Sequence, residues 1–517
     1  MEDASEYGWL MKPKGTVYLV GAGPGDAGLM TLRGAELLGR ADVVIYDALV
    51  NSELLRLAPK AAEIIYGGKR SKDHAIPQPD LNQFLVAKAR EGKCVVRLKG
   101  GDPYTFGRGG EEAEELVAAG IPFEVVPGIS SVVAAPNYAG IPLTHRAHCS
   151  SFTVITGHED PSKEKSTIDW AQLAKIPGTK VILMGTARIR EIARTLVSHG
   201  MAEQTPVAMV RWGTTGRQQS IEGTLKTIGD VADQNQFAAP SVTVIGDVVK
   251  LRGKLNWFER RPLYGRRIVV TRTREQTSQL SRRLWDLGAE VLEIPTIKIV
   301  PPKNKMDLKD ALLGLHEYDW VVFTSPNGVT TFFDYFFKAF DDMRDIGGVR
   351  IAAVGPATAE KLKELHLKVD LMPDEYVAGK IAEAFENYRT IENLRILLMR
   401  AEVANRELPK ALEKLGAIVD DIACYQTVPE TEDLNGAAAK LLESGADWIT
   451  FTSSSTVEHF HARFDLPKLV GKYPRLKLAS IGPETSKAIK GLELAPTLEA
   501  RSHTIEGLVE ALSGFNR

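Results

Sequence analysis

The amino-acid sequence predicts an α/β protein of several domains. Three observations point there. Short β-branched runs alternate with helical runs, as in "VYLVGAG", "DVVIYD", "CVVRLKG", "FTVITG", "KVILMG" and "SVTVIGD" of the first half; this alternation is the grammar of parallel sheets flanked by helices. Glycine-rich turns follow several of these runs, at the edge where open α/β sheets bind ligands. The second half repeats itself at a domain-sized period.

Length and composition narrow the function. A chain of 517 residues holds several domains. The formal net charge of −2 argues against a duplex-binding surface, so no nucleic-acid partner is expected, although a local basic pocket is allowed. Cys94, Cys149 and Cys424 are widely spaced and form neither a disulfide framework nor a zinc knuckle, so a reducing compartment and no metal site are expected. No apolar run approaches the roughly 18 residues of a membrane span. The start, "MEDASEYGWLMKPKG", has no basic region followed by an apolar core. A cytoplasmic location away from membranes is the expectation.

The elements then follow in order. Residues 1–14 read as an N-terminal arm and 15–252 as the first half, with subdomains at about 15–127 and 128–252. The mixed-charge stretch 253–264 reads as a linker before the strand "RIVVTR". Beyond it, "DWVVFTSPNGV" at 319 matches "DWITFTSSSTV" at 447, offset by 128. "RRIVVTR" at 266 matches "LRILLMR" at 394 by the same offset, and "AAVGPATAEKL" at 352 matches "ASIGPETSKAI" at 479, offset by 127. Three blocks in one order indicate a duplicated unit rather than a solenoid.

The first glycine turn, "GAGPGD", places Gly21, Gly23 and Gly25 at a strand end. A dinucleotide fingerprint requires glycine at position 26, where Asp26 stands, and a carboxylate there competes with a pyrophosphate for the helix N-terminus. Three readings stay open at this point: a dinucleotide site, a structural turn, and a site for another small molecule, which the residues favour.

The second glycine turn is more specific. "RLKGGDPYTFGRGGEE" (97–112) is followed by "VVPGISS" (125–131) and "GIPLTHR" (140–146). With "GAGPGD", "IYDALV" and "GKR", this order of motifs over about 15–252 resembles the uroporphyrinogen-III C-methyltransferases of the tetrapyrrole methyltransferase family. The resemblance implies two α/β domains with S-adenosyl-L-methionine between them, S-adenosyl-L-homocysteine as product, and a homodimer through this half. It places the cofactor near Pro24, Gly100, Gly101, Asp102, Thr105, Ser130, Ser131, Met184 and Gly213. The residue types suit this: glycines let main chain approach a ligand, Asp102 accepts hydrogen bonds from an amine or hydroxyl, and Met184 offers an apolar surface, though alone it reads as core. Asp47 matches the family's proton acceptor and Lys69 its proton donor. Arg108 and Glu111, three residues apart in "GRGGE", are expected near the substrate, Arg108 as a base or, in better accord with a guanidinium that stays protonated, as a carboxylate clamp. Arg33, Lys69, Arg70, Arg108 and Arg146 are the candidate partners of the substrate's eight carboxylates.

The second half, about 265–513, carries "FTSPNGV" with "VGPATAEKL", "CYQTVPE", and "FTSSSTVEHF" with "SIGPETSKAI". These resemble uroporphyrinogen-III synthase and imply two flavodoxin-like domains joined by two crossing strands. "TIKIVPP" (296–302) aligns with "CYQTVPE" (424–430). If both are crossings, one lobe is about 303–427 and the other about 265–298 plus 431–513. Tyr425 matches the family's candidate proton donor, with linker or core packing as the alternative. Thr324, Ser325, Thr358, Thr452, Ser453 and Thr485 open helices that follow strands and suit substrate carboxylates, or serve as ordinary caps. No metal or cofactor is expected for this half. Together the halves imply an enzyme that closes hydroxymethylbilane to uroporphyrinogen III with ring D inversion and methylates it at C2 and C7 to precorrin-2, toward sirohaem and cobalamin. The rival readings are another cobalamin-pathway methyltransferase fused to a non-catalytic tetrapyrrole-binding module, and a non-enzymatic anion-binding hinge.

Overall fold

The computed structural model describes residues 15–68, 78–158, 167–271, 274–374, 380–388, 390–404, 406–433 and 436–515. Lys69, Arg70 and the N-terminal arm lie outside the described residues. The chain forms four five-stranded sheets covered by helices.

The first sheet holds β1 (Val17–Gly21), β2 (Val43–Tyr46), β3 (Glu63–Tyr66), β4 (Val95–Lys99) and β5 (Phe123–Val126) in the order β3-β2-β4-β1-β5. All pairs are parallel. β1 and β4 are buried throughout, as central strands covered on both faces must be. From these two neighbours the chain leaves in opposite directions, to β2 beyond β4 and to β5 beyond β1. That makes their C-terminal ends a switch point, the place where such sheets bind ligands.

The second sheet holds β6 (Phe152–Thr156), β7 (Thr179–Leu183), β8 (Pro206–Arg211), β9 (Gln219–Thr224) and β10 (Ser241–Ile245), ordered β6-β7-β10-β8-β9. Only β6 and β7 run parallel; the other three pairings are antiparallel. Parallel pairing was expected throughout. The connection 212–218 from β8 to β9 is too short for the helical crossover that parallel neighbours need, and so makes a hairpin.

Beyond the connector the chain lays down β11 (Arg267–Val270) and β12 (Glu290–Glu293), crosses as β13 (Ile297–Val300), builds β14 (Trp320–Phe323), β15 (Arg350–Ala353), β16 (Arg395–Ala401) and β17 (Ile418–Pro429), and returns as β18 (Trp448–Phe451), β19 (Lys477–Ser480) and β20 (Leu498–Glu499). The third sheet is β12-β11-β18-β19-β20, all parallel; the fourth is β13-β17-β16-β14-β15. β13 and the end of β17 pair antiparallel, Ile297 opposite Pro429, and are the two crossing strands.

The internal repeat explains the likeness of these two sheets. It matches β11 with β16, β12 with β17, β14 with β18 and β15 with β19. Under that correspondence β12-β11-β18-β19 and β17-β16-β14-β15 have one order. Each lobe therefore takes its first strands from one copy and its last from the other. Trp320 and Trp448, equivalent in the repeat, are both 1% exposed. They pack edge-on against Phe385 and Phe515 respectively.

The segment joining the halves is itself packed: Phe258 and Leu263 are buried. No helix among the described residues is long and apolar enough to cross a membrane, and no group of three or more His, Cys, Asp or Glu among them is arranged to hold a metal ion.

Candidate active sites

Four loops meet at the C-terminal edge of the first sheet. A Cβ added to Gly21 would lie 2.5 Å from Gly128 Cα, and one added to Gly128 would lie 2.2 Å from the Gly101 carbonyl oxygen. The chains leaving β1, β4 and β5 thus touch main chain to main chain, which only glycine permits. Gly23 and Gly101 bridge the first two, with the Gly101 N–H donating to Gly23 O at 2.7 Å. Asp102 ties the second to the third: Oδ1 accepts from the Tyr104 N–H (3.0 Å) and the Thr105 hydroxyl (2.9 Å), and Oδ2 from the Gly128 N–H (3.0 Å). The carboxylate expected to meet a ligand amine already organises its own loops. Gly100 faces Leu49, and Ser130 caps the helix Ser131–Tyr138.

The fourth loop, 212–216, comes from the second sheet. A Cβ on Gly25 would lie 2.7 Å from Thr215 Cγ2, and the Asp26 N–H donates to Thr214 Oγ1 at 3.1 Å. Gly213 packs against Ala135 of the helix that Ser130 caps. Pro24, Gly100, Gly101, Asp102, Thr105, Ser130, Ser131 and Gly213 therefore lie on four loops in mutual contact. Met184 follows β7 with φ 55° and is 51% exposed, so it is a surface residue rather than a core one. Phe106, Arg108, Met184, Trp212 and Thr214 make up five of the ten non-glycine residues with positive φ among those described. Such strain gathers at functional sites because the surrounding structure must hold it in place.

Asp47 follows β2, with its side chain 31% exposed and Oδ1 held by Arg97 Nη2 at 2.5 Å. Behind it is a buried charge cluster that the sequence reading missed. Arg97 Nε and Lys99 Nζ both reach Glu112 Oε1, at 3.1 and 2.8 Å, and all three residues are at most 2% exposed. Burial, followed by the neighbouring Arg97, holds the Lys99 ammonium below its ordinary pKa. Breaking such a pair costs about 3–5 kcal/mol because the partner charge stays buried. The signal was present: Arg97 and Lys99 stand at alternate positions of an otherwise apolar strand and so face the same way, and a buried cation needs a counter-ion.

The other charged candidates separate. Arg108 has φ 56°, precedes the helix Gly109–Ala118 and forks onto Glu111 (Nε–Oε1 2.9 Å, Nη2–Oε2 2.6 Å), both side chains more than half exposed. Arg33 is turned away from the loop cluster. Its guanidinium is forked onto Glu124 of β5 (3.0 and 2.9 Å) and also meets Glu36, so its charge is already matched. Arg146 is exposed in the turn that bridges His145 and Cys149.

In the second half, Ser325 caps the helix Pro326–Ala339, its Oγ accepting from the Gly328 N–H at 3.1 Å and lying 2.9 Å from the Tyr425 phenol oxygen. Tyr425 is 6% exposed, and burial raises its pKa, so the phenol keeps its proton at neutral pH. A bulge opposite Arg400 and Ala401 sets both Cys424 and Tyr425 into one core cluster, which strict alternation along a strand would forbid. Ser453 caps the helix Ser454–Phe464 in a capping box with Thr456. Thr324 and Thr452 are half-buried just after β14 and β18. Thr358 and Thr485 are each 3% exposed, the third residues of their helices. Their hydroxyls are therefore closed off from the solvent side of those two turns.

A two-domain α/β unit with a glycine-loop cleft, followed by a pair of flavodoxin-like lobes, is the class that this architecture defines. The family model "Tetrapyrrole (Corrin/Porphyrin) Methylases" matches residues 16–229, and "Uroporphyrinogen-III synthase HemD" matches 278–510. A porphyrin biosynthesis protein HemD from Ruminiclostridium josui is 39% identical over 499 residues, 96% of this chain and 97% of that protein. An S-adenosyl-L-methionine-dependent uroporphyrinogen III methyltransferase from Methanosarcina barkeri (strain Fusaro / DSM 804) is 54% identical over 237 residues, 46% of this chain and 93% of that protein. A solved uroporphyrin-III C-methyltransferase from Thermus thermophilus, complexed with S-adenyl homocysteine, is 37% identical with a TM-score of 0.40, covering 46% of this chain and 99% of that one. The chain belongs to the tetrapyrrole methylase family through its first half and to the uroporphyrinogen-III synthase family through its second, as an enzyme that fuses the two.

Proposed function

We propose that the second half closes hydroxymethylbilane to uroporphyrinogen III with inversion of ring D, and that the first half methylates this product at C2 and C7 to precorrin-2. The observation that carries the reading is the meeting of four loops, three from the first sheet and one from the second, over glycines at the switch point. Those glycines suit a donor whose polar groups are met by main chain. S-adenosyl-L-methionine supplies an electrophilic methyl group when bound. Pro24, Gly100, Gly101, Ser130, Ser131, Met184 and Gly213 would hold it.

The protein's own residues then orient the acceptor and handle its proton. Asp47 takes the proton released as the ring carbon becomes quaternary, and Arg97 fixes its orientation. Lys69 is the matching donor in this reading. Arg108, kept on Glu111, clamps a substrate carboxylate. Leu49, Tyr104 and Phe106, exposed beside these loops, offer apolar surface to the macrocycle. In the second half Tyr425 and Ser325 assist departure of the terminal hydroxyl as water, and the helix starts hold carboxylates without a cofactor. A cytoplasmic homodimer through the first half completes the reading; size-exclusion chromatography with light scattering reads its mass.

The decisive experiment incubates the full chain anaerobically with hydroxymethylbilane, with and without S-adenosyl-L-methionine, and follows products by mass and isomer analysis. Uroporphyrinogen III without the donor, and its dimethylated derivative with it, are expected. The type I isomer alone, or an unmethylated product, would refute the corresponding half of the reading.

A further inference from the structure

The segment joining the halves grips the cofactor loops. Glu259 is only 11% exposed on its side chain and accepts four hydrogen bonds. Oε1 takes Gln218 Nε2 (3.0 Å) and Ser220 Oγ (2.6 Å); Oε2 takes Arg252 Nη2 (2.6 Å) and Asn256 Nδ2 (3.0 Å). Gln218, 2% exposed, relays this inward: its Oε1 accepts the Thr214 N–H at 2.9 Å, and its carbonyl accepts the Tyr264 hydroxyl at 2.5 Å. Thr214, with φ 70°, accepts the Asp26 N–H at its Oγ1.

A second route reaches the same residue. Trp257 and Phe258 pack on the ring of Tyr138 at 4.9 and 5.0 Å, and the Tyr138 hydroxyl donates to Asp26 Oδ2 at 2.8 Å. Asp26 adjoins Pro24 and Gly25, and Tyr138 ends the helix that Ser130 caps. The residue that breaks the dinucleotide fingerprint is thus the point on which both routes converge, one at its main-chain N–H and the other at its carboxylate.

We propose that Glu259 is a positioning residue for the methyl-donor site, holding the loop 212–216 against Pro24–Asp26 through Gln218 and Thr214. The inference rests on the reading that the donor binds among these loops. A carboxylate suits the four donors; a glutamine turns its own N–H₂ onto one donor pair and loosens the relay.

The test uses the full chain. Glu259→Gln raises the dissociation constant for S-adenosyl-L-homocysteine, measured by calorimetry, about tenfold. The methyl-transfer kcat at saturating donor stays within about twofold, because the reacting groups are untouched. Ring closure of hydroxymethylbilane, assayed in the same sample, is unchanged. Tyr264→Phe, which removes one hydrogen bond to Gln218 and keeps its shape, moves the same constant about two- to threefold. In a Thr214→Val background, Glu259→Gln adds less than half of its effect in free energy, as sites acting in series should. Unchanged affinity in both single variants, full additivity with Thr214→Val, or joint loss of closure and methylation with a lowered melting temperature overturns the assignment. A wild-type chain that binds no S-adenosyl-L-homocysteine defeats the underlying reading instead.

Discussion

The phenol oxygen of Tyr425 lies 2.9 Å from Ser325 Oγ, tying the crossing strand β17 to the first turn of Pro326–Ala339. Tyr425 stands one residue before the stretch of β17 that pairs with β13. Tyr425→Phe keeps the buried ring and removes one hydrogen bond, a change of about 1 kcal/mol. Ring closure should slow by about five- to tenfold. Methylation of supplied uroporphyrinogen III should keep its wild-type rate. Closure at full speed would leave Tyr425 as a packing residue only.

Asp47→Asn preserves the contact with Arg97 in shape and removes the base. Methyl transfer should fall by about 10²-fold, the lower range for loss of a general base. Ring closure in the same preparation is the internal control. An unaltered methylation rate would take Asp47 out of proton handling.

Gly128→Ala places a methyl group 2.2 Å from the Gly101 carbonyl, between two main chains that cannot yield cheaply. Overpacking of this kind costs about 1–3 kcal/mol. The thermal midpoint of the first half should drop and S-adenosyl-L-homocysteine binding should weaken. Gly471→Ala, where nothing lies within 4 Å, should do neither. Calorimetry with and without the ligand separates the two effects.

Glu53 sits where the halves touch, near the Arg56–Glu293 ion pair. Burial, and then Glu293, pushes its carboxyl up to about 7 from the ordinary 4.5. Between those values the folded chain binds more protons than the unfolded one, so stability from this group falls as pH rises and is lost above about 7. Glu53→Gln should therefore raise the melting temperature relative to wild type at pH 8 and leave it unchanged at pH 4.5. An equal effect at both values would remove the titration of Glu53 as its cause.

The α/β class and the paired lobes were legible because strand runs and glycine turns recur in register with an internal repeat. β3, β5, β8 and β9 escaped notice. β3 and β9 are partly exposed and carry mixed polar residues, so their pattern is weak. The antiparallel run of the second sheet was hidden because strand direction depends on connection length, not on the composition of the strands. At the sites, glycine motifs located the loops, since main-chain approach leaves a signature in residue type. Partner choice left none: nothing local shows that Arg33 pairs with Glu124, 91 residues away. Nor does it show that Glu112 pairs with both Arg97 and Lys99 of β4.

The entry and exit of the fourth sheet's lobe, Ile297 and Pro429, lie opposite each other in the antiparallel pairing of β13 with β17. During synthesis this module has all its strands once Pro429 has left the ribosome. β11 and β12, made earlier, must wait for β18 to β20 before their own sheet can close. The nascent chain thus carries an unfinished parallel pair beside a finished lobe. Its exposed edge is the segment that a chaperone would have reason to shield.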